Sequence, residues 1–103
     1  MSDVKETFQE RIKRITSWLG NTHVTQSVQD LIVHSSHEEL ANLFYRHAIG
    51  DWGLVSDDDW QSNNEALNNN GRVVSSYLFA GVKVWIITEA NRTRTTALLP
   101  SEY

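Results

Sequence analysis

Cysteine is absent from this 103-residue chain, and proline and methionine occur only once each. Without cysteine, disulfide frameworks, thiolate catalysis and cysteine-based zinc or iron sites are excluded. Basic residues are also few, because nine lysines and arginines stand against thirteen acidic residues, for a net charge of −4. This balance argues against a protein that binds nucleic acid through general attraction to its phosphate backbone.

Long hydrophobic runs are missing as well. The longest purely apolar runs contain four residues, at 77–80 and 84–87, whereas a membrane helix needs about 20. The polar N-terminus lacks the apolar stretch of a secretory signal, so we expect a cytoplasmic protein without membrane association. Four tryptophans among a 10% aromatic content can build a core, and the length predicts a single domain over 1–103.

The first two thirds of the chain shows the spacing of amphipathic helices. Apolar residues recur every three or four positions over 3–19, with Ser2 as the expected N-cap. A weaker helix is predicted near 26–33. A third helix is expected after Ser36 and a fourth after Ser56, because both serines are preferred N-cap residues.

From Arg72 onward, apolar residues recur at every second position instead of every third or fourth. Segments 72–80 and 82–89 are rich in β-branched and aromatic residues and predict a hairpin, and a third strand is expected near 95–99. The order predicts an α+β fold, in which about four N-terminal helices pack on a small three-stranded antiparallel sheet formed by the C-terminal third. Both sheet faces carry large apolar groups, so either helices cover both faces or one face meets a partner.

An ordered series of motifs runs through the second half of the chain. It comprises residues 47–53 (HAIGDWG), Asn64, Leu67, 72–77 (RVVSSY), 84–92 (VWIITEANR) and 95–103 (TTALLPSEY). The series resembles a family of short bacterial proteins carried on plasmids and integrated elements and usually described as plasmid-related. The resemblance implies a family-like core over 22–103, with the helix at 1–20 as an addition. It also implies a mobile-element setting in the bacterial cytoplasm, without an established activity.

Some residues suggest an enzyme. If the chain is catalytic, we expect its centre at His47, Glu89, Arg92 and Thr95, with Asp51 near the imidazole. Further candidates for the same sheet are Arg72, Ser76, Tyr77 and Thr96. Such groups could hold and cleave an RNA phosphate in a small metal-independent ribonuclease or toxin-like enzyme. Alternatively, His47 is a satisfied core residue and the arginines pair with acidic residues across the strands.

Acidic residues concentrate between His47 and Gly71, a stretch without lysine or arginine. An exposed acidic stripe can bind a basic groove of another protein, and a tryptophan can add a flat contact surface. The predicted partner contacts are Trp52, Asp57, Asp58, Asp59 and Glu65. Alternatively, the three aspartates only favour the positive end of a helix dipole on a solvated face.

The small size, acidic balance and lack of a catalytic signature favour a non-enzymatic interaction protein of a plasmid, phage or integrated element. It would bind and inhibit a host protein that handles nucleic acid, such as a restriction or CRISPR effector. We expect no cofactor and no direct nucleic-acid contact. We also expect no metal, because the pair His34 and His37, with His23 not far in the sequence, lacks an obvious carboxylate or third ligand in register. Besides the ribonuclease, the alternative is a self-associating accessory protein whose homodimer contact is formed by Trp85 and Ile87.

Overall fold

A computed structural model describes residues 5–103 as an α+β fold, the class predicted from the sequence. Its helices and strands are α1 (Phe8–Thr16), β1 (Asn21–Val24), α2 (Gln26–Leu31), α3 (His37–Ala48), α4 (Asp57–Asn69), β2 (Val73–Phe79), β3 (Val82–Thr88) and β4 (Arg94–Leu98). Short 3₁₀ turns follow α1, α2 and β4, at Ser17–Leu19, Ile32–His34 and Pro100–Glu102.

The sheet has four strands in the order β1-β4-β3-β2 and is mixed. The predicted hairpin of β2 and β3 is present, and β4 pairs antiparallel with β3. The fourth strand, β1, runs parallel to β4 with Asn21 opposite Arg94. The prediction of three antiparallel strands is therefore wrong in this detail. The first three side chains of β1 are exposed at the sheet edge and polar. This segment therefore has the composition of a loop, and the sequence did not predict it as a strand.

The first helix begins later than its apolar spacing predicts. Thr7 is its N-cap, since the Thr7 hydroxyl accepts from the Glu10 amide at 3.1 Å and the Glu10 carboxylate accepts from the Thr7 amide at 2.9 Å. The predicted cap, Ser2, lies outside the described residues. No residue of α1 is fully buried, whereas Leu19, just after it, is. The core therefore begins within the segment that the resemblance implies is an addition.

The predicted caps of α3 and α4 are confirmed. The Ser36 hydroxyl accepts from the Glu39 amide at 3.1 Å, and the Ser56 hydroxyl accepts from the Asp59 amide at 3.2 Å. The Glu39 carboxylate accepts from the Ser35 hydroxyl at 2.9 Å. Serine at these positions satisfies amide groups that have no partner within the first turn of a helix.

Helices α2 and α3 cover one face of the sheet. The alternation of the strands directs Tyr77, Phe79, Val84, Ile86 and Ala97 to that face, where they pack with Val28, Leu40 and Leu43. A second cluster, formed by Trp52, Ala66 and Val73, lies beside α4. The opposite face of the sheet is not covered by α2 or α3, and it carries one of the candidate sites described below.

The outer edge of β2 is paired by groups from outside the sheet. The Ser76 amide donates to the Trp52 carbonyl at 3.1 Å, and the Leu54 amide donates to the Ser76 carbonyl at 2.8 Å. The Asn63 side chain occupies the next site, where it donates to the Val74 carbonyl at 2.7 Å and accepts from the Val74 amide at 3.1 Å. These bonds anchor α4 and the loop before it, and they occupy most of the edge that another strand could use.

Gly53 allows this close approach. Its φ is +74°, and a Cβ built at this position would lie 2.0 Å from the Ser76 carbonyl oxygen. No side chain fits there without moving the backbone of β2. Glycine is therefore required where the loop crosses the strand edge.

Candidate functional sites

His47 lies in a buried chain of hydrogen bonds. The Thr95 hydroxyl donates to the Leu19 carbonyl at 2.6 Å and lies 2.7 Å from the Thr88 hydroxyl. The imidazole lies between Thr88, 2.8 Å from Nε2, and Ser75, 2.5 Å from Nδ1. Because the Leu19 carbonyl only accepts, Thr95 donates to it and accepts from Thr88. Thr88 then accepts from Nε2–H, which leaves Nδ1 of a neutral His47 to accept from Ser75.

Two tryptophans enclose the same ring. Trp18 stacks on it with centroids 5.7 Å apart, and Trp52 meets it edge-on at 5.4 Å. Burial, helped by the positive charge of Arg92, lowers the pKa of His47 to about 3. The exposed fraction of His47 is 0%, so the imidazole cannot contact a substrate. The geometry is that of a satisfied core histidine.

Asp51 does not orient His47. Its carboxylate accepts from Arg46 at 2.7 Å and from the Gly53 amide at 3.2 Å, as expected for a turn residue. The Arg46 guanidinium holds the pKa of Asp51 below its usual value, and it also lies 4.7 Å above the ring of Tyr77. The Tyr77 hydroxyl donates to the Asp51 carbonyl at 2.6 Å, and burial raises the pKa of Tyr77 to about 12.

Arg92 holds the end of a helix. Its guanidinium donates to the carbonyls of Ala66 at 2.9 Å and Gly71 at 2.7 Å, where a cation also complements the helix dipole. Of the other proposed catalytic residues, Thr95 is fully buried, and Glu89 is half-buried directly after β3, where its backbone carbonyl accepts from the Arg92 amide at 2.9 Å. The structure joins His47 to Thr95 through Thr88, but it buries both and commits Arg92 to α4. These residues therefore form no open catalytic centre.

The acidic residues of α4 remain at the surface. Asp57, Asp58 and Asp59 are exposed in its first turn, and Glu65 is exposed two turns later. The ion pairs observed in residues 5–103 involve none of these four carboxylates. We call the four residues the acidic ridge. Trp52, which was expected beside them, has an exposed fraction of 0% and donates to Asn64 at 2.9 Å, so it cannot serve as the expected contact surface.

A groove of about 410 Å³ lies on the sheet face that points away from α2 and α3. Its floor consists of alternate side chains, because Val74 lies opposite Ile87 and Ser76 opposite Trp85. The same alternation turns Tyr77 towards the helices, away from Ser76. Other residues that line the groove are Asp59, Ser62, Arg72, Lys83 and Tyr103. We call this site the sheet groove.

One polar group in the sheet groove lacks a partner. The exposed fraction of Ser76 is 5%, and its hydroxyl oxygen makes no hydrogen bond with any group in the described part of the chain. An unpartnered buried hydroxyl costs about 1–3 kcal/mol. Both backbone groups of Ser76 are already bonded to the 52–54 segment. Its hydroxyl is therefore the one polar group of Ser76 without a partner in the described part of the chain.

Aromatic side chains close one side of the sheet groove. Tyr103 lies between the edge of Trp85, with ring centroids 5.8 Å apart, and the Arg72 guanidinium, 4.7 Å from its ring centre. Ile87 is only 2% exposed, so it cannot supply the homodimer contact expected from the sequence. The sequence analysis did not single out Lys83 and Tyr103, which the structure places at the lining of the sheet groove.

Comparisons with protein-family models, curated proteins and solved structures give no match for this chain. The resemblance to plasmid-related proteins therefore stays a prediction. Within residues 5–103, no helix combines the length and apolar character needed to cross a bilayer. In that same part of the chain, no three histidine, aspartate or glutamate side chains are grouped so that they could hold a metal ion.

Proposed function

We propose that this chain is a non-enzymatic interaction protein whose acidic ridge binds a basic surface of another protein. The observation that carries the proposal is the run of exposed carboxylates from Asp57 to Asp59, which form no ion pair within residues 5–103. Unpaired surface charge of one sign attracts a surface of the opposite sign and accelerates encounter.

The ridge lies on a helix that is fixed along its length. Ser56 caps its start, Asn63 ties its middle to β2, and Arg92 binds carbonyls at its end. A binding surface on a rigid element loses little conformational freedom when a partner binds. This rigidity supports α4 as the contact element.

We propose as the partner a host protein that handles nucleic acid, such as a restriction or CRISPR effector, in the bacterial cytoplasm. A groove that binds phosphates has the positive charge that the acidic ridge requires. By occupying such a groove, the chain would inhibit the effector. The chain's net charge of −4 and the expected mobile-element setting support this partner class.

The alternative functions have weaker support. A ribonuclease with the predicted centre would need His47 and Thr95 within reach of RNA, whereas both are fully buried. A homodimer through Trp85 and Ile87 would need both side chains exposed, and Ile87 is not. The geometry therefore favours binding through α4.

The test is charge reversal within the ridge. We expect Asp57→Lys with Asp58→Lys to weaken inhibition of DNA cleavage, in assays with purified restriction and CRISPR effectors, by about tenfold or more. We also expect the inhibition by the unmodified protein to decrease at high ionic strength, because exposed charges are screened.

The matched control is the double variant Asp30→Lys and Glu38→Lys, which makes the same change in net charge at exposed positions of α2 and α3. We expect it to inhibit like the unmodified protein. Equal inhibition by the ridge variant and the unmodified protein would refute the proposal, and so would a lack of inhibition across the effector panel.

A further inference from the structure

We propose that the sheet groove binds a small planar aromatic anion, for which a nucleoside monophosphate is the simplest probe. The first argument is the Ser76 hydroxyl, which is buried, lines the groove and lacks a hydrogen-bond partner within residues 5–103. Buried polar groups without partners are rare in folded proteins, and ordered water or a bound molecule supplies the missing bond at such positions.

The second argument is the shape of the floor. Val74 and Trp85, both partly exposed, supply the apolar surface of the floor beside the buried Ile87, and Tyr103 stands against the edge of Trp85. Planar rings pack well on such surfaces. The volume of about 410 Å³ falls within the range of sites for small molecules.

The third argument is the arrangement of charge. Lys83 lies two positions from Trp85 on the same side of β3, about 7 Å along the strand. This spacing suits a ligand whose ring lies on Trp85 beside Ser76 and whose anionic group reaches Lys83. On the opposite wall, the Asp59 carboxylate can accept from N–H groups at the edge of the ring. The groove thus offers partners for both ends of such a ligand.

The edge of β2 argues against a peptide that adds to the sheet as a strand. Asn63 already pairs with the backbone of Val74, and the 52–54 segment pairs with that of Ser76. A nucleic-acid polymer is disfavoured because the acidic ridge begins at the same wall, with Asp59, and repels successive phosphates. A single small anion meets neither obstacle.

The test is a titration of the full chain followed by amide and indole NMR shifts. The probes are the four ribonucleoside 5′-monophosphates, the corresponding nucleosides and inorganic phosphate. We expect at least one nucleotide to shift the Ser76 amide and the Trp85 indole N–H, its nucleoside to bind more weakly, and phosphate alone to leave both signals in place.

Two variants separate binding from folding. We expect Ser76→Ala to bind the nucleotide more weakly while its melting temperature stays equal or rises, because the variant removes an unpartnered hydroxyl. Lys83→Gln should weaken affinity by about fivefold, the effect of one exposed ion pair. Lys13→Gln, at an exposed position of α1, is the matched control and should bind normally.

Three results would overturn the proposal. One is the absence of shifts with every nucleotide at millimolar concentration. The second is a set of shifts confined to residues outside the sheet groove. The third is unchanged nucleotide affinity in both Ser76→Ala and Lys83→Gln. The ridge variant with Asp57→Lys and Asp58→Lys should still bind the nucleotide, so the outcome here does not depend on that of the acidic ridge.

Discussion

His47 is kept neutral by everything that surrounds it. Its two ring nitrogens are bonded to Thr88 and Ser75, and Trp18 and Trp52 exclude water from its faces. A second proton on the ring would convert Nδ1 from an acceptor into a donor and place a charge in an apolar setting. At this scale, the fold uses histidine as a hydrogen-bonding core residue.

The depressed pKa of His47 predicts a loss of stability in mild acid. The unfolded chain takes up the proton near the ordinary pKa of 6.5, whereas the folded protein does so only near 3. Below 6.5 the unfolded state therefore binds more protons, and the free energy of unfolding falls by up to about 1.4 kcal/mol per pH unit. Urea unfolding at a series of pH values should show this slope.

The window between pH 6.5 and 5.5 isolates this effect best. The folded protein holds the pKa values of Glu6, Glu10, Asp51 and Glu102 below their ordinary values, so these carboxylates are charged there in the folded and in the unfolded state alike. A His47 ring that titrates near pH 6.5 in the folded protein, followed by NMR, would contradict this expectation.

At the scale of elements, α4 is bound to the sheet by polar contacts in addition to the apolar packing of Ala66 against Val73. The side-chain amide of Asn63 makes the two hydrogen bonds to Val74 that a neighbouring strand would make, one to its carbonyl and one to its amide. Arg92 secures the other end of the helix from the loop before β4. These two polar side chains therefore help to fix the position of the acidic ridge relative to the sheet.

We expect Asn63→Ala to lower the free energy of unfolding by about 2–4 kcal/mol, because the amide and carbonyl of Val74 lose their partners. The Val74 amide should also exchange faster with solvent. Asn68→Ala, at an exposed position of the same helix, is the control and should change stability by less than about 0.5 kcal/mol. Urea unfolding and hydrogen exchange measure both effects, and equal stability of the two variants would contradict the role of Asn63.

Some of these elements could be predicted from the sequence, and the reason differs in each case. The β2–β3 hairpin follows from an apolar period of two, and α3 and α4 follow from their serine caps. The strand β1 could not be predicted, because it depends on pairing with β4, distant in sequence. The acidic ridge was visible in the sequence as exposed charge, but the sheet groove requires knowledge of which strand faces meet.

At the scale of the whole molecule, stability is concentrated where distant segments meet. Trp18 and Leu19 come from the N-terminal part, yet they contact His47 and Thr95 in the centre of the domain. The preceding helix α1 contributes no fully buried residue. The boundary between the core and its periphery therefore falls near residue 17, inside the expected addition.

Two truncations test this boundary. Deletion of residues 1–16 should leave a cooperatively unfolding domain, because it removes α1 but keeps Trp18 and Leu19. Deletion of 1–20 should cost about 3–5 kcal/mol more, since it removes two large side chains from the core and the acceptor of the Thr95 hydroxyl. Urea unfolding of both forms measures the difference, and equal stability of the two would place the boundary elsewhere.

The contact of Gly53 with the strand edge has an evolutionary consequence. Aspartates and lysines at the surface can be exchanged without moving the backbone, but no mutation can place a side chain 2.0 Å from a carbonyl of β2. Gly20 is equally constrained, since its Cβ would lie 2.4 Å from the Thr93 backbone. We therefore expect distant homologues to keep both glycines after their surface residues have diverged. The pair can serve as a sequence signature in a search for such homologues.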